Sequence, residues 1–145
     1  NDNDYNEYRG NIEKKEIKKE QTLLHQVVNE QNNEIVKLLI SNQNIDTNLI
    51  NYSYSYSENY YMTKKEDSYC KEETLNETSL YLAVKNGNDE IVKTLLSNKD
   101  IDINSKNTSN VKKDKEQKEN VETPLQCASK NSNADIYNLL LRHGK

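Results

Sequence analysis

The chain has 145 residues, a net charge of −4 and 30% charged residues, with neither Phe nor Trp. This length gives room for one domain at most, and the mean hydropathy of −1.11 predicts a small elongated core beside solvated segments. The mixed, mildly acidic charge favours neither nucleic acid nor a membrane surface as a partner, and no apolar run approaches the ~20 residues of a membrane span.

The first 20 residues are polar and poorly patterned. Like-charged residues four apart, such as Lys14 and Lys18, disfavour an isolated helix by a few tenths of a kcal/mol per pair. We therefore predict that residues 1–20 are a disordered flanking segment and that residues 21–145 carry the fold.

One helical pattern occurs three times in the chain. Residues 77–107 contain two short segments with apolar residues four apart, such as Leu80 and Val84, separated by a polar break. The pattern recurs without gaps in residues 21–51, at an offset of 56 and with about half of the positions identical, and again in residues 122–145, at an offset of 45. Three copies of a helix-turn-helix unit indicate a repeat array.

Capping residues repeat together with the apolar pattern. Thr22 precedes a predicted helix at about 23–30, and Asn32 precedes a second at about 33–41, where their side chains can accept hydrogen bonds from free N–H groups. The other copies carry the same residue types in these places, namely Thr78, Asn88, Thr123 and Asn133. Pro124 stands at the first helical position, where its missing N–H costs nothing.

The beginnings and ends of the three units resemble those of ankyrin repeats. TLLH at 22–25, TSLY at 78–81 and TPLQ at 123–126 are similar to the Thr-Pro-Leu-His helix opening, and IDTN at 45–48 and IDIN at 101–104 are similar to the closing Asp-x-Asn. The resemblance implies stacked antiparallel helix pairs with projecting loops. We accordingly predict an all-α ankyrin-repeat solenoid with long, irregular inter-repeat loops.

The spacing of the units departs from that family. Its repeat length is about 33 residues, so offsets of 56 and 45 leave excesses of 23 and 12 residues. We therefore predict that the ankyrin-like region consists of repeats at 21–51, 77–107 and 122–145, separated by insertions at 52–76 and 108–121. Such insertions lie on one face of the array, which is often the binding face.

The two insertions differ in character. The sequence NYSYSYSENYY at 51–61 alternates Tyr and Ser, which in a strand would place Tyr52, Tyr54 and Tyr56 on one side. It is open to interpretation as an aromatic binding strip, as a phospho-acceptor site, or as low-complexity sequence without fixed structure, which we favour. The sequence NVKKDKEQKEN at 110–120 has Lys/Glu pairs at helical spacing, which predict a short exposed helix or a solvated linker.

No catalytic, cofactor-binding or metal-binding constellation is visible. Neither His25 nor His143 belongs to a ligand-spaced motif, and the three glycines are too scattered for a phosphate loop. We expect His25 to be structural, bonded to the Thr22 hydroxyl or a neighbouring loop carbonyl, and Cys127 to lie beside the core. The chain is predicted to be no enzyme and to hold no cofactor and no metal.

The leading functional hypothesis is a non-enzymatic module that binds protein partners on a concave face formed by the first helices and the loops. By resemblance, the positions that contact partners in the family correspond to Gln21, Asn29, Glu30, Glu77, Lys85, Asn86, Glu122, Lys130 and Asn131. We expect a protein partner, no nucleic acid, no membrane and a monomer. Two cysteines without metal spacing favour a cytoplasmic location, with the nucleus as an alternative.

The sequence is also compatible with two other functions. The units are consistent with a structural or spacer segment of a longer ankyrin array, or with a targeting module for an enzyme whose catalytic domain lies outside this chain. Three units are near the minimum for a stable stack, so we expect both ends to fray and the middle unit to be the best protected.

Overall fold

The computed structural model describes residues 12–42, 44–60 and 68–144. In this part of the chain, one strand is followed by pairs of helices that alternate with pairs of strands. The strands are β1 (Ile12–Glu20), β2 (Ile50–Tyr60), β3 (Tyr69–Thr78), β4 (Asn107–Lys113) and β5 (Glu116–Glu122). The helices are α1 (Leu23–Asn29), α2 (Asn33–Ile40), α3 (Ser79–Asn86), α4 (Asp89–Leu96), α5 (Pro124–Lys130) and α6 (Ala134–His143). The helices form three pairs at the predicted positions, and α1 and α2 end within one residue of their predicted ends.

The predicted capping residues begin all six described helices. Each Thr or Asn accepts a hydrogen bond from the backbone N–H three residues further on. The third unit adds a reciprocal bond, because the Thr123 N–H donates to Gln126 Oε1 at 2.9 Å while the Gln126 N–H donates to Thr123 Oγ1 at 3.3 Å. Local sequence therefore sets where each helix starts.

The turn inside each helix pair uses one left-handed residue. It is Gly87 in the middle unit, with φ of 70°, and the equivalent residues Gln31 and Ser132 have φ of 57° and 56°. Only glycine adopts this conformation without steric cost. The same turn is therefore built in all three units, and at the lowest cost in the middle one.

The core lies between the stacked helix pairs and is most complete in the middle unit. Leu80, Ile91 and Leu95 are fully buried there. In the first unit, Ile35 and Leu38 are 37% and 70% exposed, although Ile35 is the equivalent of Ile91. The middle unit packs against a neighbour on both sides, which agrees with its expected protection; the protection itself stays a prediction.

A five-stranded antiparallel sheet contradicts the predicted all-α fold with irregular loops. The strands lie in the order β1-β2-β3-β4-β5. The two insertions form the hairpins β2–β3 and β4–β5, which pair with each other through β3 and β4. The prediction of irregular loops was wrong because the two strands of each insertion pair with each other and β3 of the first insertion also pairs with β4 of the second.

The second insertion is a hairpin and not the short helix that its Lys/Glu pairs suggested. Its tip is Asp114-Lys115, with φ of 55° at Asp114. Asp114 is fixed to β3, since its N–H donates to the Cys70 carbonyl at 3.0 Å and its Oδ1 accepts from the Cys70 N–H at 3.1 Å. Helical side-chain pairs contribute only ~0.3 kcal/mol each, which is too little against a continuous ladder of backbone hydrogen bonds to β3.

The prediction of disorder for residues 1–20 is wrong for residues 12–20, which form β1; residues 1–11 lie outside the described part of the chain. β1 pairs with β2 along its length, with Lys18 opposite Tyr54 and Glu16 opposite Tyr56. The like charges that disfavour a helix do not oppose a strand, where residues four apart are separated by about 13 Å.

The sheet has two chemically different faces. Tyr52, Tyr54 and Tyr56 lie on one face, as their alternation predicted for a strand, and we call this the outer sheet face. The serines between them lie on the opposite face, the inner sheet face, which also carries Glu77 and Glu122 through the pairing register. The inner sheet face meets α3 and α5, so a concave surface forms between sheet and helices.

Candidate functional site

A cavity of about 200 Å³ lies where the inner sheet face meets α3 and α5. Four of the nine predicted contact residues line it, namely Glu77, Lys85, Glu122 and Lys130. The Tyr81 phenol from α3 and the apolar side chain of Leu75 from β3 also line it. The structure thus joins residues of the second and third units into one polar site.

The other five predicted residues lie outside this cavity. They are exposed at the ends of the first helices or just before them: Gln21, Asn29, Glu30, Asn86 and Asn131. We call these five the rim residues, and for all nine residues the role of partner contact stays a prediction.

Glu77 and Lys85 form an ion pair in the middle unit. Lys85 Nζ donates to Glu77 Oε2 at 3.1 Å. The Glu77 side chain is only 8% exposed, whereas that of Lys85 is 49% exposed. The buried carboxylate therefore has a cationic partner that reaches it from the solvent side.

The equivalent residues of the third unit, Glu122 and Lys130, make different contacts. Glu122 Oε2 accepts from the Tyr81 hydroxyl at 3.2 Å and from Asn120 Nδ2 at 3.4 Å. Among the described residues, Glu122 has no ion pair. Burial raises the pKa of the Tyr81 phenol, and the nearby Cys127 and Glu122 add to the effect, so the phenol stays protonated and donates this hydrogen bond.

Asn107 holds the sheet and helices together beside the cavity. Its Oδ1 accepts from the Thr78 N–H at 2.8 Å, and its Nδ2 donates to the carbonyls of Ser105 and Glu122 at 3.0 and 3.2 Å. The side chain is 3% exposed. It therefore fixes β5 to the start of α3, and Tyr81 and Glu122 are positioned by this connection.

Sequence reasoning missed the other seven residues that line the cavity, among them Tyr81, Asn107 and Leu75. Tyr81 stands at the position of the family's motif His and reaches towards the next unit, as His25 does from the first. Leu75 and Glu77 are two residues apart in β3, so period-two alternation would have placed both on one face if the segment had been recognised as a strand.

His25 is structural, as predicted. It is 1% exposed, its Nδ1 lies 2.7 Å from Thr22 Oγ1 and its Nε2 lies 3.1 Å from the Glu77 carbonyl oxygen. A carbonyl can only accept, so Nε2 carries the proton and Nδ1 accepts from the hydroxyl. Burial lowers the pKa of His25 from its ordinary value, which keeps the ring neutral.

The buried His25 predicts a stability that decreases in mild acid. Its pKa is lower in the folded than in the unfolded chain, so protons bind preferentially to the unfolded chain once the pH falls below about 6.5. The contribution of neutral His25 to the free energy of unfolding is fully present above that pH. It is lost as the pH falls to the lowered pKa of the folded chain, with a slope of up to about 1.4 kcal/mol per pH unit. Urea unfolding at pH 7.5, 6.5 and 5.5 measures the free energy of unfolding.

The matched variant is His25→Gln, because Gln126 occupies the equivalent position in the third unit. Its free energy of unfolding should change less between pH 7.5 and 5.5 than that of the unaltered chain. Identical pH profiles would show that His25 does not titrate differently in the folded and unfolded chains.

The part of the chain that the structure describes carries neither a metal-binding cluster nor a membrane-spanning helix. Within residues 12–42, 44–60 and 68–144, no group of His, Cys, Asp or Glu is arranged to hold a metal ion. No described helix has the length and apolarity required to cross a membrane.

Stacked helix pairs joined by hairpins that form one sheet define a repeat protein. The family model for ankyrin repeats in three copies matches residues 6–107 and again residues 58–145. The chain belongs to the ankyrin-repeat family, which confirms the resemblance in its helix openings. A comparison with curated proteins gives no match.

Proposed function

We propose that this chain is a non-enzymatic protein-binding module that holds its partner on the concave surface between the inner sheet face and helices α1, α3 and α5. Family membership supports the proposal, because ankyrin repeats generally mediate protein–protein interactions. The proposal also places the protein in the cytoplasm or nucleus as a monomer; the free thiols of Cys70 and Cys127 support such a reducing location.

The observation that carries the proposal is the convergence of charged residues from separate units in the cavity. Glu77 and Lys85 come from the second unit and Glu122 and Lys130 from the third, and all four line one polar depression. Its volume of about 200 Å³ is below the ~300–1,000 Å³ of typical small-molecule sites. A cavity of this size is better suited to one anchoring side chain of a protein partner.

The proposal predicts that the exposed rim residues govern partner capture. The triple variant Asn29→Ala, Asn86→Ala and Asn131→Ala should lower capture of the interacting protein from a lysate by about tenfold, since three lost polar contacts of about 0.5 kcal/mol each sum to the ~1.4 kcal/mol of a tenfold change. Glu77 and Glu122 are retained because they are buried and support the fold. Quantitative pull-down with the purified chain measures the effect.

The control variant changes the same residue type away from the cavity. Asn44→Ala, Asn104→Ala and Asn138→Ala also remove three exposed Asn that do not line the cavity, and capture should be unchanged. Equal loss in both triple variants, or no loss in either, would show that the concave surface is not the binding surface.

One observation favours the second candidate function, a structural segment of a longer array. Leu23 and Leu38 are 58% and 70% exposed on the first unit. The equivalent middle-unit residues are the polar Ser79 and Thr94, and Ser79 is fully buried. Apolar side chains at these positions would suit the stacking of a further helix pair.

A further inference from the structure

Equivalent residues of two units form different contacts around the cavity. Glu77 is paired with Lys85 at 3.1 Å, but Glu122 is bonded to the neutral donors Tyr81 and Asn120. Lys130 lines the same cavity without an ion pair to Glu122. One carboxylate of the site therefore has a cationic partner, whereas its counterpart has only neutral ones among the described residues.

Burial makes this difference energetically important. Glu122 is 8% exposed, so protein atoms cover most of its surface. Neutral hydrogen bonds replace part of the carboxylate's hydration, but a buried charge is costly unless a charge of opposite sign also lies close to it. A cation that enters the cavity would supply that charge and form a short charge-assisted hydrogen bond.

We infer that this cavity receives one basic side chain of the partner, an arginine or a lysine, with Glu122 as its counter-ion. The inference rests on the proposed protein-binding function and specifies the chemistry of the partner. Two of the three lining carboxylates already have an ion pair, Glu73 with Lys71 at 3.3 Å and Glu77 with Lys85 at 3.1 Å. Among the described residues, Glu122 is the lining carboxylate without one.

The remaining lining suits the shape of such a side chain. Leu75 offers an apolar surface to the methylene stem of a long basic residue. Tyr81 donates to Glu122 from the helix side, and Asn120 donates along β5. The stem would therefore pass Leu75 while the charged group reaches the Glu122 carboxylate.

The test uses the whole chain and a small probe instead of the unidentified partner. N-acetylarginine amide is titrated into the isotope-labelled protein, and N-acetylcitrulline amide provides a neutral probe of nearly the same shape. The arginine probe should produce saturable shifts of the backbone amide signals of Tyr81, Asn120 and Glu122. The citrulline probe should bind at least about tenfold more weakly, the effect of losing one charge-assisted contact.

A matched pair of variants locates the counter-ion. Glu122→Gln keeps an oxygen that can accept from Tyr81 and should weaken the arginine probe by about tenfold or more. Glu119→Gln removes the same charge from the exposed outer side of β5 and should leave binding unchanged. The amide spectrum of each variant shows whether the fold is intact.

Equal binding of the arginine and citrulline probes by the unaltered chain would overturn the inference, even if Glu122→Gln failed to fold. Retained arginine binding by a folded Glu122→Gln variant would do the same. Neither result would affect the protein-binding function, which is judged separately from partner capture by the rim variants.

Discussion

Leu95→Ala is expected to lower the free energy of unfolding by about 2–5 kcal/mol. Leu95 is fully buried in α4 and packs in the same cluster as Leu80 and Ile91. The side chains around Leu95 can relax only partly when its methyl groups are removed. The cavity that stays therefore adds to the lost free energy of transferring those groups from water into the core. Since small domains are stable by only about 5–15 kcal/mol, this one change removes a large part of the total.

Two leucines of the first unit provide graded controls. Leu39 is the equivalent of Leu95 and is only partly buried, so Leu39→Ala should cost less. Leu38 is 70% exposed, and Leu38→Ala should stay within about 0.5 kcal/mol of the unaltered chain. Urea unfolding of the three variants gives the comparison, and equal costs at Leu38 and Leu95 would contradict a core centred on the middle unit.

The helix pairs were predictable because their signals are local. A Thr or Asn cap and apolar residues four apart lie within a single turn or two of helix, and they need no distant partner to be interpreted. The Thr123–Gln126 pair is an example, since both of its hydrogen bonds join residues three positions apart. The structural role of His25 was predictable for the same reason, because the Thr22 hydroxyl that it contacts is also three residues away.

The sheet was not predictable in this way because its stabilising contacts are non-local. β5 reads EQKENVE, with Val121 as its one apolar residue, so no amphipathic pattern identifies it as a strand. Its partner β4 is itself held by β3, which pairs with β2 from the other side. The Tyr/Ser alternation of β2 carried a strand signal, but low-complexity sequence without fixed structure was the favoured interpretation of that alternation, and it is wrong for β2.

The candidate site was likewise predictable only in part. The family resemblance identified Glu77, Lys85, Glu122 and Lys130 by position, and the structure brings them together. The resemblance could not show that Glu77 has an ion pair and Glu122 has none among the described residues. Glu122 instead accepts a hydrogen bond from Tyr81, which lies 41 positions earlier in the sequence. The inferred partner chemistry therefore rests on a contact between units and not on the repeat motif.

Removing the outer part of the first hairpin should release strands that the deletion does not touch. In this variant Asn-Gly replaces residues 54–74 and joins Ser53 to Leu75, which face each other in register. Residues 110–113 of β4 then lose their partners in β3 and depend on β5 alone. A two-stranded hairpin is marginally stable in water, so amide hydrogen exchange in residues 110–113 should accelerate by at least about tenfold.

The second hairpin supplies the matched control. Asn-Gly in place of residues 110–119 joins Ser109 to Asn120, which also face each other in register. This deletion leaves the pairing of β1 with β2 and of β2 with β3 intact, so exchange in β1 should be unchanged. If residues 110–113 exchanged as slowly after the first deletion as before it, the two insertions would be independent hairpins, and the inner sheet face would not be one continuous surface for a partner.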